Sequence, residues 1–266
     1  MERIEGTVTT AISYARVMEE TAREQIRRMC SYELTEGSRV RIMPDVHAGK
    51  GCTIGTTMTI VDKAVPNVVG VDIGCGMYTI DLGRQPIDFF RLDKAAHRVP
   101  SGANVWNEPQ LSFDVHPLYC YDRLKNLSRI ACSIGTLGGG NHFIEVDETH
   151  DGRHYLIIHT GSRNLGKQVA DIYQQIAIEL QGQEETQPEQ INRIIREYQM
   201  AGRQEEIEKS VKEIKRRYHQ KQIPDDLCYV SGKYLKQYLH DVVLCQQFAR
   251  LNREHIARVL LEQTGL

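Results

Sequence analysis

The segment Gly70-Val71-Asp72-Ile73-Gly74-Cys75-Gly76 sets a carboxylate and a thiol three residues apart among three glycines. It follows the apolar run Val65 to Val71, which has Pro66 at its start and predicts a buried strand ending in a tight turn. Such a turn aims both side chains at one point, and its glycines let another group approach the backbone closely. A thiolate beside a carboxylate suits a divalent transition metal, and sulfur can bridge two such ions. A buried free cysteine beside a turn aspartate is the alternative this stretch alone leaves open.

The chain has 266 residues, enough for one large core or two small ones. Its net charge of -2 gives the molecule as a whole no electrostatic bias toward nucleic acid, so RNA or DNA binding requires a local patch. The seven cysteines contain no Cys-x-x-Cys pair, the N-terminal residues lack a signal-peptide pattern, and no apolar run is long enough to span a membrane. These features predict a reduced, soluble, cytoplasmic protein.

Up to about Leu165 the chain is rich in glycine and short apolar runs. Met18 to Cys30 reads as a helix with Glu19, Glu20, Arg23, Glu24 and Arg27 on its wet side. Arg39 to Met43, Thr53 to Val61, Met77 to Leu82, Phe143 to Val146 and Tyr155 to His159 read as strands, and Ile87 to Arg98 as a helix. Gln168 to Gln181 has helical spacing. The strongly charged segment at about 187–222 predicts a solvated helix supported by i,i+4 ion pairs. Pro224 breaks it, and Ser231 caps a long final helix running through Phe248 and Leu260.

Three further motifs carry chemistry. In Pro44-Asp45-Val46-His47-Ala48-Gly49-Lys50-Gly51, Asp45 and His47 lie two apart on one face of extended chain and can orient a ligand or move a proton; a turn aspartate with a partly buried histidine is the alternative. In Gly135-Thr136-Leu137-Gly138-Gly139-Gly140-Asn141-His142-Phe143-Ile144-Glu145-Val146, a glycine-rich loop whose amides can surround an oxyanion runs into a strand. If pairing starts at Asn141, alternation puts Asn141, Phe143 and Glu145 on one face and His142 on the other. His142 then fits a metal, and the other three fit a nucleotide. In His159-Thr160-Gly161-Ser162-Arg163-Asn164-Leu165-Gly166, His159 ends a strand, Ser162 or Asn164 can cap the next helix, and Arg163 beside its free amides makes a phosphate site. Asp72, Cys75, His142 and His159 together are an acid, a thiolate and two imidazoles, suited to manganese, zinc or a related ion. Metal-assisted phosphoryl or nucleotidyl chemistry follows from that set.

These motifs, PDVHAGKG, GVDIGCG, GTLGGGNHFIEV and HTGSRNLG in order, resemble the RtcB family of RNA-splicing ligases, and the stretch Phe248 to Arg253 resembles the family's long helix. The resemblance implies an α+β fold of mixed sheets flanked by helices, as a single RtcB-like catalytic domain over residues 1–266. It also implies a GTP-dependent, two-manganese ligase that joins RNA ends bearing a 3′-phosphate or 2′,3′-cyclic phosphate to 5′-hydroxyl ends. Carried onto this chain, Cys75 bridges the two Mn2+ ions and Asp72, His142 and His159 complete part of the shell. Asn141, Phe143 and Glu145 contact the guanylate; Ser162, Arg163 and Asn164 hold RNA phosphate; Asp45 and His47 line the RNA-end pocket and stand with Cys75 as candidate catalytic residues.

Two departures matter. Gly74 stands where many members have asparagine, which implies a divergent paralogue. The family's guanylylated histidine, in an HGAGR-like segment, has no counterpart in this chain, so the expectation is a C-terminally incomplete ligase that is inactive alone, its missing portion on the same gene or another chain. Phe248, Leu251, Val259 and Leu260 of the final helix are then expected to be exposed. The rival readings are a metal- and nucleotide-binding remnant that binds RNA ends without ligating, and a metallophosphoesterase acting on cyclic phosphate.

Overall fold

The computed structural model describes residues 1–49, 51–182, 187–221 and 223–266, without the side chains of 182, 187–190 and 215–221. Lys50, Gln222 and the side chains of Lys215, Arg216 and Arg217 lie outside the described residues. In chain order the elements are β1 (Glu2–Glu5), β2 (Thr10–Ser13), α1 (Glu20–Met29), β3 (Val40–His47), β4 (Ile54–Met58), β5 (Lys63–Ala64), α2 (Pro66–Val69), β6 (Gly76–Gly83) and α3 (Phe89–Ala96). They continue with α4 (Leu127–Ala131), β7 (Phe143–Glu148), β8 (His154–Thr160), α5 (Arg163–Gly182), α6 (Gln187–Met200), α7 (Ile207–Lys221), β9 (Val230–Ser231) and α8 (Gly232–Thr264). The fold is α+β, with helices flanking one mixed and two antiparallel sheets. No described helix is long and apolar enough to cross a membrane.

The chain forms two compact units, each from two segments: Met1–Val68 with Gln174–Ser231, and Val69–Tyr173 with Gly232–Leu266. The first unit holds a sheet in the order β1-β2-β3-β4, with β2 and β3 parallel and the outer pairs antiparallel. A parallel step needs a crossover, which α1 supplies. Its Ala22, Ile26 and Met29 recur at helical spacing and bury fully against Ile4, Ala11, Val40 and Ile42 of the sheet. β3 runs four residues beyond the expected Met43, with an irregular register between Ile42 and His47. Pro44 has no N–H for a ladder and falls in that stretch. Asp45 and His47 are exposed while Val46 between them is buried. The charged segment forms α6 and α7, parted at Gly202, and its pairs Arg193–Glu197, Arg203–Glu206 and Lys212–Glu208 lie at the surface.

In the second unit β6-β8-β7 form an antiparallel sheet. One face packs Leu82, Leu156 and Ile158 against Leu92 and Ala95 of α3 and against Ile256, Ala257 and Leu260 of α8. On the other face Met77, His159 and Phe143 stand opposite one another across the three strands. α8 is 33 residues long, about 50 Å at the usual helical rise. It stops where Gly265 takes φ +76° and returns its N–H to the Leu261 carbonyl at 2.8 Å. The fully buried Asp241 of α8 accepts hydrogen bonds from the Tyr119 and Cys120 amides and the Tyr173 hydroxyl at 2.9, 3.1 and 2.8 Å.

Two expectations fail. Val65 to Val71 is no buried strand: Pro66 opens one helical turn, and Val69 and Val71 are 45% and 43% exposed. An apolar run this short has no periodicity to distinguish strand from helix, and proline suits a first helical turn. Nor is the apolar side of α8 bare. Phe248 and Leu260 are fully buried, Phe248 edge-on to Phe113 at 5.2 Å and Leu260 in the sheet core, and Leu251 and Val259 are half-buried. Partners within the same unit cover them.

Candidate metal centre and anion pocket

Asp72 and Cys75 lie in the turn that leads from α2 into β6, closed by the Cys75 amide donating to the Asp72 carbonyl at 3.0 Å. Cys75 therefore sits at the start of a strand, whereas His159 sits near the end of β8. The antiparallel register pairs Gly76 with Thr160 and Met77 with His159, so these two termini meet. Cys75 Sγ is 3.1 Å from His159 Nε2 and 3.7 Å from His142 Nε2. His142, just before β7, donates from Nδ1 to the Leu137 carbonyl and from Nε2 to Asp72 Oδ2, both at 2.8 Å. The donor atoms of Asp72, Cys75 and His142 all lie within 4.8 Å of one another.

Glycines make this approach possible. A Cβ at Gly161 would overlap the Asp72 carboxylate. Gly74 takes φ +80°, and a Cβ there would come 2.9 Å from Gln246 Cα of α8. The left-handed region is open to glycine and, less easily, to asparagine, which accounts for both residue types at such a turn; glycine seats α8 closest.

The electrostatics are coupled. The hydrogen bonds to Asp72 and Cys75 push His142 up to about 9 against the opposing effect of burial. Burial pushes the Asp72 carboxyl up, but the hydrogen bond and charge of His142, with Cys75 and Arg163, outweigh it and hold Asp72 below its ordinary value. His159 Nδ1 is buried without a hydrogen-bond partner.

Beside these donors opens a cavity of about 420 Å³, lined by Asp72, His142, Asn141, Arg129, Arg163, Asn164 and Lys167 among others. Arg163 begins α5 with φ +55°, rare for a residue with a side chain. Its guanidinium lies against Gly138 and donates to Thr136 Oγ1 and the Gly102 carbonyl at 3.1 and 3.0 Å. Burial lowers the Arg163 guanidinium from its ordinary value, Asp72 opposes this, and Arg129 adds to it. Ser162 is fully buried with its hydroxyl unpartnered, so it neither caps α5 nor reaches the cavity. Asn141 lines the cavity with His142, because β7 begins only at Phe143 and strict alternation does not extend back to Asn141. Phe143 meets His159 edge-on at 5.2 Å, and Glu145 is exposed further along the strand. Asp45 and His47 belong to the first unit, where His47 Nδ1 donates to the Asp45 carbonyl at 2.9 Å.

Sequence reasoning passed over Arg129 and Lys167, and also Asn252 and Arg253 of α8. Lys167 stands four residues after Arg163, one turn along the same helix. Asn252 falls four residues from both Phe248 and Ile256, a polar residue on the apolar side of the pattern, and that was the available signal.

A thiolate, a carboxylate and two imidazoles on glycine-cleared backbone define a site fit for a divalent transition metal, next to a cationic cavity. The chain matches the family model described as "tRNA-splicing ligase RtcB" over residues 25–114 and 121–265, and it belongs to that family. It is similar to RNA-splicing ligase RtcB of Escherichia coli K12, with 27% identity over 241 residues, covering 81% of this chain and 50% of that protein. It is also similar to RNA-splicing ligase RtcB2 of Escherichia coli ATCC 25922, with 32% identity over 148 residues (49% of this chain, 36% of that protein). RNA-splicing ligase RtcB of Mycobacterium tuberculosis H37Rv shows 32% identity over 185 residues (48% and 43%). The chain spans half or less of the length of these curated relatives.

Proposed function

We propose that this chain carries the metal- and phosphate-handling part of an RNA ligase that uses GTP and manganese to join 3′-phosphate or 2′,3′-cyclic phosphate ends to 5′-hydroxyl ends. The observation that carries the reading is the meeting of Asp72, Cys75 and His142 within 4.8 Å, with Asp72 and His142 on the wall of a cavity also lined by Arg129, Arg163 and Lys167. Asp72, Cys75, His142 and His159 would hold the metal. His142 suits this role because its Nδ1–H is fixed on a carbonyl, which leaves Nε2 for a ligand once its proton is given up. A bound divalent ion supplies Lewis acidity and neutralises phosphate charge.

The other roles rest on this chain's own groups. Arg163, supported by Arg129, Lys167 and Asn164, binds the terminal RNA phosphate through charge and directed N–H donors. Asn141, the Phe143 ring and Glu145 contact the guanylate. Asp45 and His47 bind the RNA end, an assignment supported by their joint exposure on β3. The donor set also fits a phosphoesterase, so the test must separate the two.

The test uses a fluorescent RNA ending in 2′,3′-cyclic phosphate and a matched 3′-hydroxyl RNA, each titrated with the chain and manganese. The expected result is at least tenfold tighter binding of the cyclic phosphate, lost in Arg163→Ala. Equal binding of the two RNAs overturns the reading. Opening of the cyclic phosphate without GTP would shift it to the phosphoesterase.

A further inference from the structure

The geometry points to Asn252 and Arg253 of α8 as positioning residues that hold the three ligand-bearing segments in register. The inference rests on the metal reading above and extends it to a helix that contributes no ligand.

Asn252 is fully buried, and its amide is satisfied on both sides. Oδ1 accepts from the Gly135 and Thr136 amides at 2.7 and 3.0 Å, and Nδ2 donates to the Thr136 and Gly161 carbonyls, both at 3.1 Å. One side chain thus ties the loop leading to His142 to the loop leaving His159. Arg253 does the same for the remaining pair. Its Nη1 donates to the Gly74 carbonyl at 2.9 Å and to the Thr160 carbonyl at 2.7 Å. Gly74 immediately precedes Cys75, and Thr160 immediately follows His159. Carbonyls next to both partners of the Cys75 Sγ to His159 Nε2 approach, at 3.1 Å, are therefore fixed by one guanidinium.

The placement is specific. β6 and β8 already pair through Gly76 and Thr160, so Arg253 is not needed to hold the strands together. What it adds is the orientation of the peptide on the ligand side of each strand end. Its charge also lies within electrostatic reach of Cys75 and Asp72, so it offsets the negative charge that gathers there when the two act as ligands. Groups that orient ligands in this way typically change metal affinity by about 10–100-fold when removed.

Cobalt(II) alone is the probe, because a thiolate bound to it gives a near-ultraviolet charge-transfer band that reports the ligand set without any reaction. The full chain, Arg253→Met, Arg253→Lys, Asn252→Asp and Leu260→Ala are titrated with Co(II), and each is melted. Leu260→Ala is the control for a lesion in the same unit that lowers stability without touching the clamp. The inference expects Arg253→Met to weaken Co(II) at least tenfold and shift the band, Arg253→Lys to recover part of both, and Leu260→Ala to keep the wild-type band. Asn252→Asp, which keeps the acceptor and loses both donations, should shift the band if Arg253→Met does not fold. Failure of the wild type to give a thiolate band overturns the metal reading itself. A wild-type band that persists unchanged in affinity and position in Arg253→Met, or in Asn252→Asp where Arg253→Met does not fold, leaves the metal site standing and overturns the positioning role.

Discussion

Cys30 and Cys52 of the first unit and Cys75 of the second are the same residue in opposite circumstances. Cys30 is fully buried among Ile4, Ala11, Ile26 and Met29, and burial pushes its thiol up to about 12, with Cys52 adding to the shift. Burial also raises Cys52, against hydrogen bonds from Thr56 and Thr53. Both act as small apolar side chains. Cys75 is exposed at a strand end, with two imidazole nitrogens within 3.7 Å. The difference comes from surroundings rather than from residue type: Cys30, just past the end of α1, and Cys52, in the bend before β4, turn into the apolar core of the first unit, and Cys75 hangs from a turn that glycines leave open to the site.

The sharpest test exchanges these cysteines one at a time. Cys75→Ala should weaken manganese binding by roughly two orders of magnitude, on the ligand-loss scale, with little change in melting temperature. Cys30→Ala should do the reverse, leaving manganese binding intact while costing about 1–2 kcal/mol of stability from the lost core volume. Calorimetric titration and thermal melts of the same two variants decide it, and manganese affinity lost equally in both would erase the contrast.

Next in size is the cationic cavity. Arg163→Ala should weaken binding of inorganic phosphate about tenfold at low salt, while Arg84→Ala, at an exposed arginine paired with Asp151, should leave it unchanged. An equal loss in both variants would mean that general surface charge, not the cavity, holds the anion.

The Asp72–His142 pair gives a pH signature in the metal-free protein. His142 is raised from 6.5 to about 9, so the stability it contributes is complete below about pH 6.5 and disappears as pH rises through about 9. Asp72 is lowered from 3.8, so its contribution is complete above that value and is lost as pH falls through the lowered one. Melting temperature against pH should show both limbs, and Asp72→Asn should flatten both. A profile unaltered by that substitution would break the pairing.

The smallest effect belongs to His255. It is buried with both ring nitrogens unpartnered; burial, helped by Arg258 and opposed by Glu262, holds it below 6.5. The unfolded chain then takes up the proton first, so stability falls as pH drops below about 6.5. His255→Leu should remove that acid-side loss and shift the melting temperature by a few degrees at most.

The sequence made the periodic elements legible, and for a physical reason. α1, α5, β6 and β8 each bury one face, so burial writes a period into them. Val65 to Val71 carries no period, so nothing in it separates a strand from the helical turn that forms. The α8 surface was misjudged because Phe113 and the β6-β8-β7 sheet, remote in sequence, supply its partners. At the site, Asp72, Cys75, His142 and His159 were conspicuous because each stands beside glycines that a bare strand or helix does not need. Arg129 and Arg253 carry no such mark, and Asn252 shows only as a polar residue on an apolar helical side. Their importance comes chiefly from where the fold brings them, which a chain read residue by residue does not display.

The clamp on α8 has a consequence for the order of events during synthesis. Thr160 and Arg253 are 93 residues apart. At about 5–20 residues per second, a ribosome releases all four donors roughly 5–20 seconds before the residue that sets their strand ends. During that interval the nascent chain offers an unsorted thiolate and imidazoles to whatever soft ion is free. On the metal reading, ordered loading then waits for Arg253, and an ion taken up earlier would meet the donors before their strand ends are oriented.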